Sequence, residues 1–207
     1  MEKTPSLTTR LLHAGLVIGI SLQLLLSTFM EMPGTKVVRN GLSAIGFELH
    51  EVFGMLSLSL ILAWFVWLFV RRTEEGSGEL FPWFSSTSRH ALLQAVKSTW
   101  VSLRSRCSPS PADNNRIART VHGLGALCAL GMALTGFTVW LGMSDSGQLA
   151  DWARLVLTLH RSLATLMWVY VLGHAGMALL HHARGETTMG RMFTFGRPNR
   201  QPVERVH

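Results

Sequence analysis

The sequence predicts an all-α membrane protein, an up-down-up-down bundle of four transmembrane helices with an amphipathic cytoplasmic linker helix. Three observations carry that prediction. Only 15% of the 207 residues are charged, against about 25% in an average soluble domain. The apolar residues gather into four runs, at about 11–30, 52–70, 121–143 and 162–180, each near the ~20 residues a helix needs to cross hydrocarbon. Fifteen of the 19 lysines and arginines lie in residues 1–10, 71–120 and 181–207, which alternate spans place on one side. By the positive-inside rule, that side is the cytoplasm, and both termini face it.

These features exclude several classes. A soluble enzyme with a large core and a secreted disulfide scaffold do not fit about 80 residues in membrane-length runs and two cysteines, Cys107 in a polar linker and Cys128 in mid-span. A net charge of +7 would suggest nucleic acid in a soluble protein. Here the orientation bias accounts for it, so nucleic acid is excluded and membrane lipid is the expected surrounding.

The first run follows Lys3 and Arg10, as a secretory signal would, but it is too long, holds His13 and lacks a small-residue cleavage pattern at Phe29-Met30-Glu31-Met32. It reads as a retained helix ended by Pro33-Gly34. The second run leads into a linker, residues 71–120. There Ala91, Leu92, Ala95, Val96, Trp100 and Leu103 recur at helical spacing over 88–106, among Arg89, Lys97, Arg104 and Arg106. That pattern predicts an amphipathic helix on the anionic inner leaflet, anchored by Trp83 and Trp100. Cys107-Ser-Pro-Ser-Pro-Ala-Asp reads as a turn before the third span. The spans and linker form a single domain over residues 1–207.

Nine histidines are present, and their depth matters more than their number. Ionisable side chains inside a bilayer are costly and mark functional sites. His160 and His174 are fourteen residues apart on the fourth span, which amounts to about 21 Å of rise and nearly a whole number of turns, so both rings leave one helix face. In an up-down-up-down bundle His50 reaches the depth of His160, and His13 that of His174. Two cross-helix pairs result, one per leaflet. Two imidazoles facing each other across an apolar gap suit haem iron, which takes axial ligands on opposite sides of a flat macrocycle. Zinc needs further ligands that the spans scarcely offer. With no Cys-x-x-Cys-His, the haem would be non-covalent and b-type.

Gly15, Gly54, Gly123, Gly125, Gly173 and Gly176 lie within four residues of these histidines, where they could admit a ring or pack helices. Arg10, Arg119 and Arg161, near span ends, could pair with haem propionates or anchor in the interface. His122 shares the inner depth. It could replace His13 as a ligand, contact a propionate or form a quinone site. His90, His181, His182 and His207 fall at or beyond the interface.

Leu12-His13, His50 with Gly54, Val121-His122-Gly123-Leu124-Gly125, and His160 with His174 ending in Ala178-Leu179-Leu180-His181-His182 together resemble the bacterial cytochrome b561 family of four-helix di-haem cytochromes, related to the cytochrome b subunits of nickel-iron hydrogenases. Phe81-Pro82-Trp83-Phe84 is similar to a stretch in the wider cytochrome b group. Ala14 departs from the tryptophan that many relatives carry after the first ligand. The resemblance implies that His13 with His174 holds an inner haem and His50 with His160 an outer one.

Three functions are open on these grounds. The first is a di-haem b-type cytochrome of the bacterial inner membrane, linking the quinone pool to a periplasmic-side donor or acceptor. Relatives include superoxide:ubiquinone oxidoreductases, and Lys36, Arg39 and Arg161 would offer an anionic donor a cationic outer surface. The second is the membrane anchor of a larger complex with a soluble hydrogenase-like or molybdenum partner. The third is a non-redox transporter or structural bundle whose histidines bind metal.

Overall fold

The computed structural model describes residues 6–31, 41–71, 80–105, 107, 110–144 and 147–183. They form five α-helices: α1 (Leu7–Leu26), α2 (Leu42–Val70), α3 (Ser86–Arg104), α4 (Pro111–Leu141) and α5 (Asp151–Ala183), with a 3-10 turn at Pro82–Phe84 before α3. Helices α1, α2, α4 and α5 are each long and apolar enough to cross a membrane. Among the described residues the only extended pairing is one bridge between Met143 and Leu149, in the tight connection from α4 to α5.

The helices overrun the apolar runs that announce them. α2 begins ten residues before Val52 and α5 eleven before Ser162, because their first turns mix polar and apolar residues and hydropathy reads only the fully apolar middle. His50 and His160 therefore sit within helix rather than at its mouth. α1 instead stops at Leu26 and passes through a turn at 27–29. Pro33-Gly34 lies outside the described residues. The expected turn before the third span closes on a cap: Ser110 Oγ accepts from Asp113 N at 3.1 Å and Pro111 opens α4.

The interior is thin, as in a small membrane bundle. Leu24, Ile61, Ala129 and Met167, one from each span, meet in a central cluster. Met167 lies seven residues from both His160 and His174. Outward-facing residues are apolar and open: Ile18 is 68% exposed, Leu155 76% and Val169 70%. Such a surface belongs in lipid. The chain is a multi-pass membrane protein.

Packing in the bundle is uneven. α1 packs along α2, α2 on α4, and α4 on α5, whereas α5 has no comparable backbone approach to α1 or α2. A gap therefore separates α5 from the α1–α2 pair. Where α1 begins and α2 ends, the two are tied by Trp67 Nε1 and Arg71 Nη1, which both donate to Thr9 Oγ1, at 3.0 and 2.7 Å.

The linker helix forms as expected. α3 packs on α4, with Ala95 fully buried, while Val96 and Trp100 stay exposed with Leu93. Alanine permits close helix approach where tryptophan cannot, so the smaller residues take the helix contact. Arg89 Nη1 donates to the Trp83 carbonyl at 2.7 Å, fastening the 3-10 turn to α3.

Candidate functional site

The gap beside α5 is bridged by histidines. His13 on α1 faces His174 on α5 with ring centres 6.4 Å apart, and His50 on α2 faces His160 on α5, also at 6.4 Å. The structure thus brings together both pairs expected from depth. A five-membered ring with C–N bonds of about 1.33 Å has its atoms about 1.1 Å from its centre. A histidine nitrogen binds a first-row metal such as zinc at about 2.0–2.1 Å, so two rings sharing one ion along a common axis have centres about 6.3 Å apart. Both pairs match that spacing. Their ring planes cross at 63° and 85°, a rotation that axial ligands allow.

His160 is prepared by its hydrogen bonds. Its Nδ1 lies 3.0 Å from the Met132 carbonyl and 3.0 Å from Thr135 Oγ1. A carbonyl only accepts, so Nδ1 carries the proton and Nε2 keeps its lone pair for a metal. Thr135 sends its own hydroxyl hydrogen to the Gly131 carbonyl at 2.7 Å and accepts from the ring. Metal-binding histidines commonly use such a partner on the far nitrogen. Gly136 completes the setting: a Cβ there would lie 3.1 Å from His160 Cε1.

A cavity of 380 Å³ opens at this level, lined by His50, His160, Gln23, Gly136 and Arg161 among mostly apolar side chains. His50 Nδ1 and Gln23 Oε1 are buried there without a well-formed hydrogen bond among the described residues. An apolar slot with two opposed imidazoles fits a flat, largely apolar macrocycle. Among the described residues no three or more His, Cys, Asp or Glu side chains converge as a metal site, so tetrahedral zinc lacks its ligand set.

The inner pair is held by rings. Tyr170 stacks on His174 at 5.6 Å and 11°, and His122 meets it edge to face at 4.7 Å and 89°. The 4.7 Å spacing is direct ring contact, too short to share a metal along one axis. His122 Nδ1 donates to the Ala118 carbonyl one turn back at 2.7 Å, which keeps its ring on α4. Arg161 is exposed at the outer cavity, Arg119 is exposed near the inner end of α4, and Arg10 is half-buried near the start of α1. His90 and His182 are exposed, and His207 lies outside the described residues.

Four of the six glycines meet a neighbouring segment, the packing role left open by the sequence, and Gly54 faces Gln23 Nε2 at 3.5 Å. Gly123 receives the Leu80 carbonyl, Gly125 the Tyr170 ring and Gly15 the Leu60 side chain, while Gly173 and Gly176 have nothing within 4 Å. Of the six, Gly125 alone is pressed by a ring, that of Tyr170, which itself stacks on His174. Gly136, absent from that set, is the glycine against a candidate ligand, and it lies 24 residues from His160 in sequence, beyond any local rule. Thr135 and Gln23 are likewise contacts that only the folded chain reveals.

A four-helix membrane bundle with two opposed histidine pairs defines a membrane cytochrome b. The model of the prokaryotic cytochrome b561 family matches residues 5–195. The chain belongs to that family, and is a membrane electron-transfer cytochrome that binds haem b. No curated protein and no solved structure matches it.

Proposed function

We propose that the chain holds two haem b groups, the inner between His13 and His174 and the outer between His50 and His160, and carries electrons between the quinone pool and a donor or acceptor at the periplasmic face of a bacterial inner membrane. The observation that carries this reading is the matched 6.4 Å spacing of two pairs set on one helix. A haem held by either pair would supply one-electron transfer. α5 sets the separation, about 20 Å from the rise between its two histidines. Leu24, Ile61, Ala129 and Met167, one from each span, cluster beside the outer pair and line its cavity with apolar side chains. The lysine and arginine bias supports cytoplasmic termini.

Arg161, exposed at the outer cavity, suits an anionic donor such as superoxide. Lys36 and Arg39 lie outside the described residues. A second reading, the membrane anchor of a larger redox complex, is favoured by the outward Leu93, Val96 and Trp100 of α3, an apolar surface on the linker side.

A dithionite-reduced minus oxidised spectrum of the detergent-purified chain, with haem counted per polypeptide as the pyridine haemochrome, tests the proposal. Two b-type haems per chain are expected. A colourless protein from haem-replete cells would leave the metal-transport or structural alternative in front, and one haem would remove the transmembrane relay. A redox subunit that co-purifies in stoichiometric amount would favour the anchor reading.

A further inference from the structure

Gln23 is an anomaly in its helix. It lies near the end of the apolar run of α1, in Ser21-Leu22-Gln23-Leu24-Leu25-Leu26, and is only 8% exposed. A carboxamide withdrawn from water is costly unless its groups are paired. One of them is: Nε2 donates to the backbone carbonyl of His50 at 2.9 Å, across from α1 to α2. The other, Oε1, is buried without a partner, and Nδ1 of His50 makes no well-formed hydrogen bond, with the main-chain carbonyl of Gln23 beside its ring. Both residues line the same cavity.

The two unpaired atoms are complementary. A carboxamide oxygen only accepts. A histidine that gives Nε2 to iron carries its proton on Nδ1 and needs an acceptor there. On the opposite side of the cavity His160 already has this arrangement, with Met132 O and Thr135 Oγ1 on its Nδ1. On α2 no carbonyl of the preceding turn takes the His50 Nδ1 proton, as Ala118 does for His122 on α4. Gln23 stands on the neighbouring helix, already fastened to the same residue.

We propose that Gln23 is the positioning residue of His50: its Nε2 fixes the His50 backbone, and its Oε1 accepts the Nδ1 proton, directly or through one buried water, when Nε2 binds the outer haem iron. The assignment rests on the reading of His50 as a ligand. An acceptor on Nδ1 makes the imidazole more basic, which stabilises the oxidised iron and lowers its potential. Gln23 therefore acts on the outer haem and not on the inner one, whose histidines it does not contact.

The test is a redox titration of the full chain, followed by haem absorbance, with Gln23→Leu and Gln23→Glu. Leucine keeps the bulk and removes both hydrogen bonds. Glutamate gives up the Nε2 bond to the His50 carbonyl but keeps an acceptor, strengthened by charge when ionised. The outer component is identified as the one missing from His50→Ala protein. The expected result is a rise of the outer potential in Gln23→Leu and a fall in Gln23→Glu, with the inner potential unmoved. Loss of the outer haem in Gln23→Leu alone, with a lowered potential in Gln23→Glu, also supports the role. Unchanged potentials in both variants, or shifts of the same sign, would overturn it. If His50→Ala protein instead keeps two haems, the ligand assignment fails first, and that failure is visible without either Gln23 variant.

Discussion

The two histidine pairs are alike in spacing and differ in how they are held. The outer pair sits in a polar frame: the Met132 carbonyl and Thr135 hydroxyl on His160, Gln23 on the His50 backbone, and bare Gly136 against the ring. The inner pair sits among rings, with Tyr170 stacked on His174 and His122 against its edge. Hydrogen bonds fix which nitrogen is protonated as well as where the ring lies, whereas ring packing fixes only the plane. The outer site should therefore respond to changes in polarity, and the inner site to changes in shape.

The largest test removes the ligands. His50→Ala or His160→Ala should each leave one haem per chain, as should His13→Ala or His174→Ala, and the two sets should lose different spectral components. Pyridine haemochrome counts with reduced-minus-oxidised spectra measure this. Should His13→Ala keep the inner haem while His122→Ala loses it, the inner pairing is wrong and His122 is the ligand.

Steric variants come next. Gly136→Val places branched carbon against a ring that a single Cβ would already approach to 3.1 Å, so the His160 ring must give way. Since overpacking typically costs about 1–3 kcal/mol, outer haem occupancy should fall steeply at unchanged expression. Gly136→Ala, which adds the single Cβ alone, should have the smaller effect. Unchanged outer haem occupancy in Gly136→Val would remove Gly136 from the site.

Shape should dominate at the inner site. His122→Phe keeps an aromatic edge beside His174 and should retain two haems with little change in the inner spectrum, whereas His122→Ala opens a space there and should broaden the inner low-spin signal by electron paramagnetic resonance. The converse, a larger effect from phenylalanine than from alanine, would show that His122 acts through its nitrogens and that the polar-against-ring contrast is mistaken.

Much of this was legible in sequence, for definable reasons. Four apolar runs and a charge bias give a bundle because lipid leaves the backbone few alternatives to the helix. The fourteen-residue interval from His160 to His174 predicts a shared face because helix geometry is periodic, and depth then selects His50 and His13. Helix ends were poorly legible, since the first turns of α2 and α5 mix polar and apolar residues. The supporting residues were not legible at all. Gly136, Thr135 and Gln23 meet their histidines through interhelical rotation, which residue spacing along one helix cannot sense.

The smallest effect is also the most specific. Thr135→Val is nearly isosteric and removes one of the two acceptors on His160 Nδ1, at 3.0 Å, while the Met132 carbonyl at 3.0 Å remains. One hydrogen bond contributes about 1 kcal/mol net. For a one-electron couple at 59 mV per tenfold, the outer potential should rise by at most about 40 mV. The sign follows from the ring becoming a weaker base and stabilising oxidised iron less. Haem content should not change, because the remaining carbonyl still fixes the tautomer. Valine also loses the hydroxyl's bond to the Gly131 carbonyl, which remains in the helix ladder, so helix stability should hardly move. A redox titration of both components decides the matter: a shift confined to the outer haem ties its potential to the polar frame, while a shift of the inner haem, or a fall in the outer one, would mean that Thr135 acts through the α4 backbone rather than through His160.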